Sequence, residues 1–298
     1  MHDANEAESF FAVLQQNGIL VLDKPGGMSS AQAISRLKRL GQKKIGHAGT
    51  LDPMATGVLI VLLGQATKLS GYILEGGEKT YSGVLRLGTV TDTWDAEGTV
   101  VEENDWSSVT ESDVRSLVGE WQGESEQVVP PYSAAKHNGT PMYALARAGR
   151  EVPVKTKKIF VSRAEVQWVD LPDVRFRVTC SSGSYVRSLA HSLGMRAGCG
   201  AVLTELTREY SHPYSLADAC RLDEILADPE SLAGRILPLE SALPGWPVIT
   251  VDGAESALLR NGGPLRAEAL CRKAQGRYCA EKPDAWRSRR CATAAGPY

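Results

Sequence analysis

Apolar and polar positions along the chain alternate in blocks short enough to read as separate elements. GILVLDKPGG (18–27) predicts a buried strand closed by a Pro-Gly-Gly turn. SSAQAISRLKRLG (29–41) has serines at its start, Ile34, Leu37 and Leu40 at helical spacing, and Gly41 as a stop. A helix is expected there, with its basic residues fanned over the outer face. KTYSGVLRLG (79–88) reads as a strand and TDTWDAEGTVV (91–101) as a turn into another. TESDVRSLVGEWQG (110–123) predicts an amphipathic helix with a capping box at Thr110 and Asp113 and an apolar stripe of Val114, Leu117, Val118 and Trp121.

PPYSAAKHNGTPMYALARAG (130–149) interleaves aromatics and bases between prolines and glycines and reads as a loop. From 158 to 180 two strands flank the turn DLPD; in the second, Val174, Phe176, Val178 and Cys180 share one face and Arg175, Arg177 and Thr179 the other. CSSGSYVRSLAHSLG (180–194) then runs from strand through a small turn into a helix, with Arg187 in its first turn and Val186, Leu189, Ala190 and Leu193 as its core stripe. No internal repeat is present. Long strands, hairpin turns and interspersed helices predict an α+β sheet domain rather than regular βαβ winding. GWPV (245–248) reads as a linker into a short basic segment whose end, AWRSRRCATAAGPY, predicts little regular structure.

Composition changes this picture little. The chain has 298 residues, 43% hydrophobic and 23% charged, which is ordinary for a globular protein and enough for one large domain with a small appendage. The stretch MHDANEAESFFAVLQQNG is acidic and lacks a basic region ahead of a long apolar run, so no signal peptide is expected. The longest apolar run, GVLIVLLG (57–64), is far too short to span a bilayer, and a cytoplasmic protein without membrane partners is expected. Six cysteines form no C-x-x-C pair, so inert thiols are expected and no metal site. The net charge of −2 excludes a general polycation but leaves two local basic concentrations. One is SRLKRLGQKK (35–44); the other is 251–298, with nine Arg or Lys against five Asp or Glu. Either is a solvated face or a phosphate-binding stripe.

The chemistry concentrates in GHAGTLDPMATGVL (46–59). Asp52 before Pro53 suits the N-cap of a helix, and the same carboxylate suits catalysis. The surrounding residues tip the balance, because the stretch resembles the signature of the TruB-type tRNA pseudouridine synthases, which isomerise uridine 55 in the T loop. The resemblance covers about 200 residues and several motifs in order: LDKPGGMSS (22–30), LGQATKLSGYI (63–73), KTYSGVLRLG (79–88), TVTDTWDAEG (89–98), YSAAKHNGTPMYALARAG (132–149) and CSSGSYVRSL (180–189).

The resemblance implies the pseudouridine synthase fold: a central mixed, mostly antiparallel sheet with flanking helices. It divides the chain into a catalytic domain, 1–245, and a short PUA-like RNA-binding segment, 246–298. It implies a monomer that acts on the T-stem loop of tRNA, with no cofactor and no metal. The catalytic residues it points to are Asp52, Tyr81 and Arg187, and the RNA-binding ones are His47, Lys24, Lys68 and Tyr185, with Lys43 and Lys44 beside them. Several positions depart from the family's pattern: Ser182 stands for a lysine and Ser184 for a threonine, AHSLG (190–194) holds no Asp-Leu-Gly, LTRE (206–209) replaces a more basic Leu-Arg-Arg, and the proline pair of QVVPPYSA sits one place late. These changes thin the positive charge expected around the RNA groove.

The residue types suit that chemistry. Pseudouridine forms when the N1–C1′ bond breaks, the uracil turns, and C5 joins C1′. Glycoside hydrolysis needs two carboxylates, one of which activates water or attacks, so a lone carboxylate suits an isomerase better. Asp52 would be the nucleophile or the partner of developing positive charge, and Arg187 would keep it ionised and oriented. Attack at C1′, attack on the pyrimidine ring and assisted elimination at the sugar all remain open. Tyr81 offers a ring for a displaced uracil to stack on, and His47 could fill the gap left by an extruded base. Each also has a plainer reading: Arg187 on a helix surface, Tyr81 half-buried in a strand, His47 satisfied in a turn. A non-catalytic RNA-folding module and a nucleoside glycosidase are the competing functions.

Overall fold

The structure is a computed structural model that describes residues 15–75, 77–244, 246 and 249–265. In chain order the first half comprises β1 (Gly18–Lys24), α1 (Ser30–Lys38), β2 (Ile45–Ala48), β3 (Thr56–Leu63), α2 (Ser70–Glu75), β4 (Glu78–Leu87), the hairpin β5 (Thr89–Thr91) and β6 (Val100–Glu103), and α3 (Glu111–Gly119). The second half comprises β7 (Gly123–Val128), β8 (Lys136–His137), β9 (Thr140–Pro141), α4 (Met142–Arg147), β10 (Thr156–Asp170), β11 (Asp173–Ser181), α5 (Val186–Ala197), β12 (Ala201–Ser211), β13 (Tyr214–Ser215), β14 (Cys220–Arg221), α6 (Leu222–Ala227) and α7 (Gly253–Arg260).

Among the described residues, ten strands form one sheet in the order β14-β1-β3-β12-β4-β11-β10-β7, with β2 beside β3 and β13 beside β12. The β1–β14 and β3–β12 pairs are parallel and the others antiparallel. The fold is therefore α+β with a mixed, mostly antiparallel sheet.

The apolar run 57–64 is what a strand buried on both faces needs. Leu59, Val61 and Leu63 enter the core under α1, α3 and α5, while Val58, Ile60 and Leu62 enter a second core under α2 and 239–243. Alternation at period 2 sends successive side chains of one strand into the two cores. Gly57, at φ +98°, lets β3 approach β12 so closely that a Cβ would fall 2.3 Å from the Arg208 carbonyl oxygen.

Local sequence rules account for most of the helices. Ser29 caps α1 through a capping box with Gln32, and Thr110 caps α3 through one with Asp113. Val174, Phe176, Val178 and Cys180 on β11 are fully buried, as their alternation predicts. One expectation fails, and the helix-cap alternative weighed for Asp52 is not what forms. Residues 130–149 are not a continuous loop: Asn138 and Gly139, at φ +48° and +81°, close the β8–β9 hairpin, and α4 follows. Six helical residues between punctuating prolines and glycines are too few for periodicity to register. Asp52 begins no helix; its carbonyl accepts from Ala55 N–H in a turn that leads into β3. Residues 206–209 lie within β12 at the middle of the sheet, where Leu206 and Arg208 line the cavity described below. The terminal AWRSRRCATAAGPY and most of the basic segment 246–298 lie outside the described residues.

Candidate active site

Asp52 is delivered by the turn between β2 and β3, and Arg187 by the first turn of α5. Arg187 Nε donates to Asp52 Oδ2 at 2.9 Å and its Nη2 to Asp52 Oδ1 at 3.0 Å, a bidentate pair. Its remaining donors reach the Thr93 carbonyl (Nη1, 2.8 Å) and the Tyr132 carbonyl (Nη2, 2.9 Å). The Arg187 side chain is 3% exposed and that of Asp52 33% exposed. The guanidinium is thus locked while the carboxylate keeps one side open.

That open side faces a cavity of about 530 Å³ lined by Asp52, Tyr81, Tyr185, Arg187, Leu206 and the turn at 182–184, among others. Tyr81 is buried to 6% exposure, and burial raises its phenol above the ordinary 10, so the hydroxyl stays protonated at neutral pH and can donate. Burial likewise raises Tyr185, the N-cap of α5. The Gln127 side chain of β7 clasps the Tyr185 backbone, accepting from its N–H at 2.7 Å and donating to its carbonyl at 3.0 Å. This clasp fixes where α5 begins and so where Arg187 points.

The other sequence candidates scatter. His47 sits on β2, half-buried, near the cavity without lining it; its Nδ1 is buried without a partner, and burial and then Arg208 lower its pKa, so the ring is neutral at pH 7. Lys43, Lys44 and Lys68 are exposed, and of the three neither Lys43 nor Lys44 lies in a helix or strand. Lys24 is not at a surface at all. Its ammonium is buried and donates to the carbonyls of Pro25 (2.8 Å), Met28 (2.7 Å) and Pro53 (3.2 Å), so it braces the two turns that flank the site. Desolvation lowers its pKa to about 8. Replacing Lys24 by methionine removes the partner of the Pro25 and Met28 carbonyls, while the Pro53 carbonyl keeps the Gly27 N–H at 3.0 Å, and is expected to cost about 1–3 kcal/mol of stability, read as a fall in Tm. An unchanged Tm would remove the bracing role.

Two family models match consecutive parts of the chain: the N-terminal domain of TruB family pseudouridylate synthase over residues 37–186, and the C-terminal domain of tRNA pseudouridylate synthase B over 187–244. The chain belongs to the TruB family of pseudouridylate synthases.

Relatives in that family include the tRNA pseudouridine synthase B of Nitratidesulfovibrio vulgaris strain Hildenborough, 66% identical over 85% of this chain and 83% of its own length. That of Burkholderia mallei is 43% identical over 85% of this chain and 84% of its own. Among solved structures, a Cbf5-Nop10-Gar1 complex aligns with a TM-score of 0.65 at 27% identity, covering 86% of this chain and 70% of that one. An H/ACA RNP bound to a substrate RNA containing 2′-deoxyuridine aligns with a TM-score of 0.63 at 26% identity, covering 84% and 68%. The two TruB family models meet inside α5, between Val186 and Arg187, yet β12, from beyond that boundary, lies between β3 and β4. The second model therefore completes the sheet of the first.

Sequence reading missed several residues of this TruB site. Asp95 is 4% exposed, and its Oδ2 lies 3.5 Å from Arg187 Nε, giving the guanidinium a second carboxylate. Burial raises the Asp95 pKa against the pull of Thr93 and Arg187. Trp94, at φ +65°, stacks on His191 with centroids 4.3 Å apart and planes 5° apart. His191 is one turn beyond Arg187 on α5, so the stack clips the 93–95 turn to the helix that carries the guanidinium. Arg208 is 1% exposed and donates to the carbonyls of Val58 (Nε, 2.7 Å) and Gly49 (Nη2, 2.7 Å), tying β12 to β3 and to the turn before Asp52. Beside it, Thr207 bonds Thr56 at 2.8 Å, and Glu209 pairs with Arg177 at 2.7 Å. An arginine inside a strand gives no periodic signal that separates it from a surface one. Among the described residues no cluster of three or more His, Cys, Asp or Glu could hold a metal ion, and no helix is long and apolar enough to cross a membrane.

Proposed function

We propose that this chain is a tRNA pseudouridine synthase that isomerises uridine 55 of the T loop, with Asp52 as the nucleophile. The observation that carries the reading is the bidentate Asp52–Arg187 pair at the floor of a cavity walled by Tyr81. A carboxylate held by two guanidinium bonds is fixed in orientation, while its 33% exposure leaves it reachable from the cavity. High-identity relatives named tRNA pseudouridine synthase B support the substrate class.

The target uridine leaves its stack and enters the cavity, where Tyr81 presents its ring and a protonated hydroxyl. The N1–C1′ bond breaks, the uracil turns, C5 bonds to C1′, the C5 proton leaves and N1 gains one. Product and substrate are isomers, and no water, redox partner or cofactor enters the balance. Burial of Arg187, Tyr81 and Asp95 lowers the local dielectric behind the carboxylate, which strengthens the pairing.

The direct test incubates purified protein with unmodified tRNA and maps pseudouridine with a chemical label that stops reverse transcription. A stop at position 55 is expected; its absence, with the label working elsewhere, would refute the assignment. The exposed Lys43, Lys44 and Lys68 belong to the RNA contact surface in this reading, and 246–298 is a separate RNA-binding segment after the catalytic domain 1–245. Removing residues 250–298 is expected to raise the Kd for tRNA more than it lowers turnover at saturating RNA. Unchanged affinity would show that the segment does not bind RNA.

A further inference from the structure

One wall of the cavity carries positive charge that the Asp52 pair does not use. Lys79 and Tyr81 leave the same face of β4 two residues apart, and both line the cavity. Lys79 is 7% exposed, and its Nζ donates to Ser182 Oγ at 2.6 Å; Ser182 in turn donates to the Leu74 carbonyl. That is the single hydrogen bond the Lys79 side chain makes among the described residues, and no carboxylate there pairs with it. An ammonium has three donors, so most of its capacity is unspent at a site where burial makes an unspent charge costly.

Two further cations crowd the same place. Lys157, reaching from β10, lies over Gly183: its Nζ is 3.5 Å from the Ser182 carbonyl oxygen, and a Cβ built on Gly183 would fall 1.9 Å from it. Gly183, at φ +85°, is the residue that admits this approach. On the other side the Arg208 Nη1 and the Lys79 Cε lie 3.4 and 3.5 Å from where a Gly49 Cβ would stand. Burial, then Arg208 and Lys157, hold the Lys79 pKa down at about 8, although the Cys180 thiol opposes them. Glu75 lines the same cavity and forms no ion pair with either lysine. Three like charges gathered without a counter-ion are unfavourable in the free protein and become favourable when an anion arrives.

We propose that Lys79 and Lys157, together with the hydroxyl-bearing turn Ser182–Ser184, form a subsite for a phosphodiester adjoining the extruded uridine. The inference rests on the reading that a uridine enters this cavity and adds to it the place where the strand is gripped. Ser182, which stands for a lysine in the resembled motif, then holds a lysine that comes from β4 instead. Lys157 supplies from β10 a second charge that meets solvent.

The experiment measures Kd and single-turnover kinetics of the full chain on a T-stem loop. The loop is either unmodified or carries one neutral methylphosphonate, 5′ or 3′ of the target uridine. Lys79→Met is expected to raise Kd about tenfold, with a smaller effect on the chemical step. Exposed Lys157→Ala, which does not threaten folding, is expected to raise Kd about threefold and lower the salt slope of log Kd by about 0.7. For wild type, one of the two methylphosphonates weakens binding about as much as Lys79→Met does, and in that variant it adds less than twofold. Penalties that multiply, or no effect of either linkage on wild type, would overturn the subsite. Because the readout is binding, it stands apart from turnover: wild type that grips the RNA through these lysines yet forms no pseudouridine would refute the proposed function and leave the subsite in place.

Discussion

Asp52→Asn is expected to lower uridine isomerisation by about 10⁴-fold or more, while tRNA binding stays within about tenfold of wild type. The amide is isosteric with the carboxylate and removes only its charge and one of its two acceptor oxygens. The amide nitrogen would face a guanidinium donor, so one arm of the bidentate pair is lost. Arg187 still keeps Asp95 at 3.5 Å and the carbonyls of Thr93 and Tyr132, so the helix start stays in place. A catalytic role therefore separates cleanly from a structural one: turnover collapses, Tm moves little, and binding holds because this carboxylate is no phosphate contact. Single-turnover assays beside filter binding measure both. Equal turnover by variant and wild type would reject the nucleophile assignment, and a parallel loss of binding would mean that Asp52 organises the RNA surface instead.

Arg187→Met is expected to abolish activity and also to cost about 3–5 kcal/mol of stability, because it strips a buried counter-ion from its carboxylates. The stability loss depends on pH. Burial already pushes the Asp95 carboxyl above its ordinary 3.8, and the variant removes the Arg187 attraction that opposes that push. The folded variant then holds the Asp95 proton more tightly than the unfolded chain does. Stability from that proton is fully present below the unfolded value and is lost as pH rises through the raised folded one. The deficit relative to wild type is expected to be smallest near pH 4 and to grow toward neutrality, measured by denaturant unfolding at several pH values. A deficit independent of pH would exclude Asp95 as the stranded charge. Arg187→Lys keeps the charge but not the fork, so it is expected to recover most of the stability while turnover stays about 100-fold low.

Much of this molecule is written in short windows. The serine before α1, the Thr110–Asp113 box before α3 and the alternation along β11 follow from rules that span three to eight residues, and the structure reproduces them. The motif residues around Asp52 were equally legible as a resemblance, although Asp-Pro by itself pointed to a helix cap that does not form. What no window contains is the pairing of positions 135 apart: Asp52 and Arg187 meet because β12 and β4 hold β3 and β11 at fixed spacing, and Gln127 clasps the start of α5. The same holds for Lys24, Lys79 and Arg208, whose surroundings no short window shows. Only packing spends Lys24 and Arg208 on backbone carbonyls and leaves Lys79 facing the cavity. Propensity, capping and periodicity are local energies and can be summed along the chain. The fate of a charge depends on which distant backbone groups enclose it, and that is decided by the sheet order.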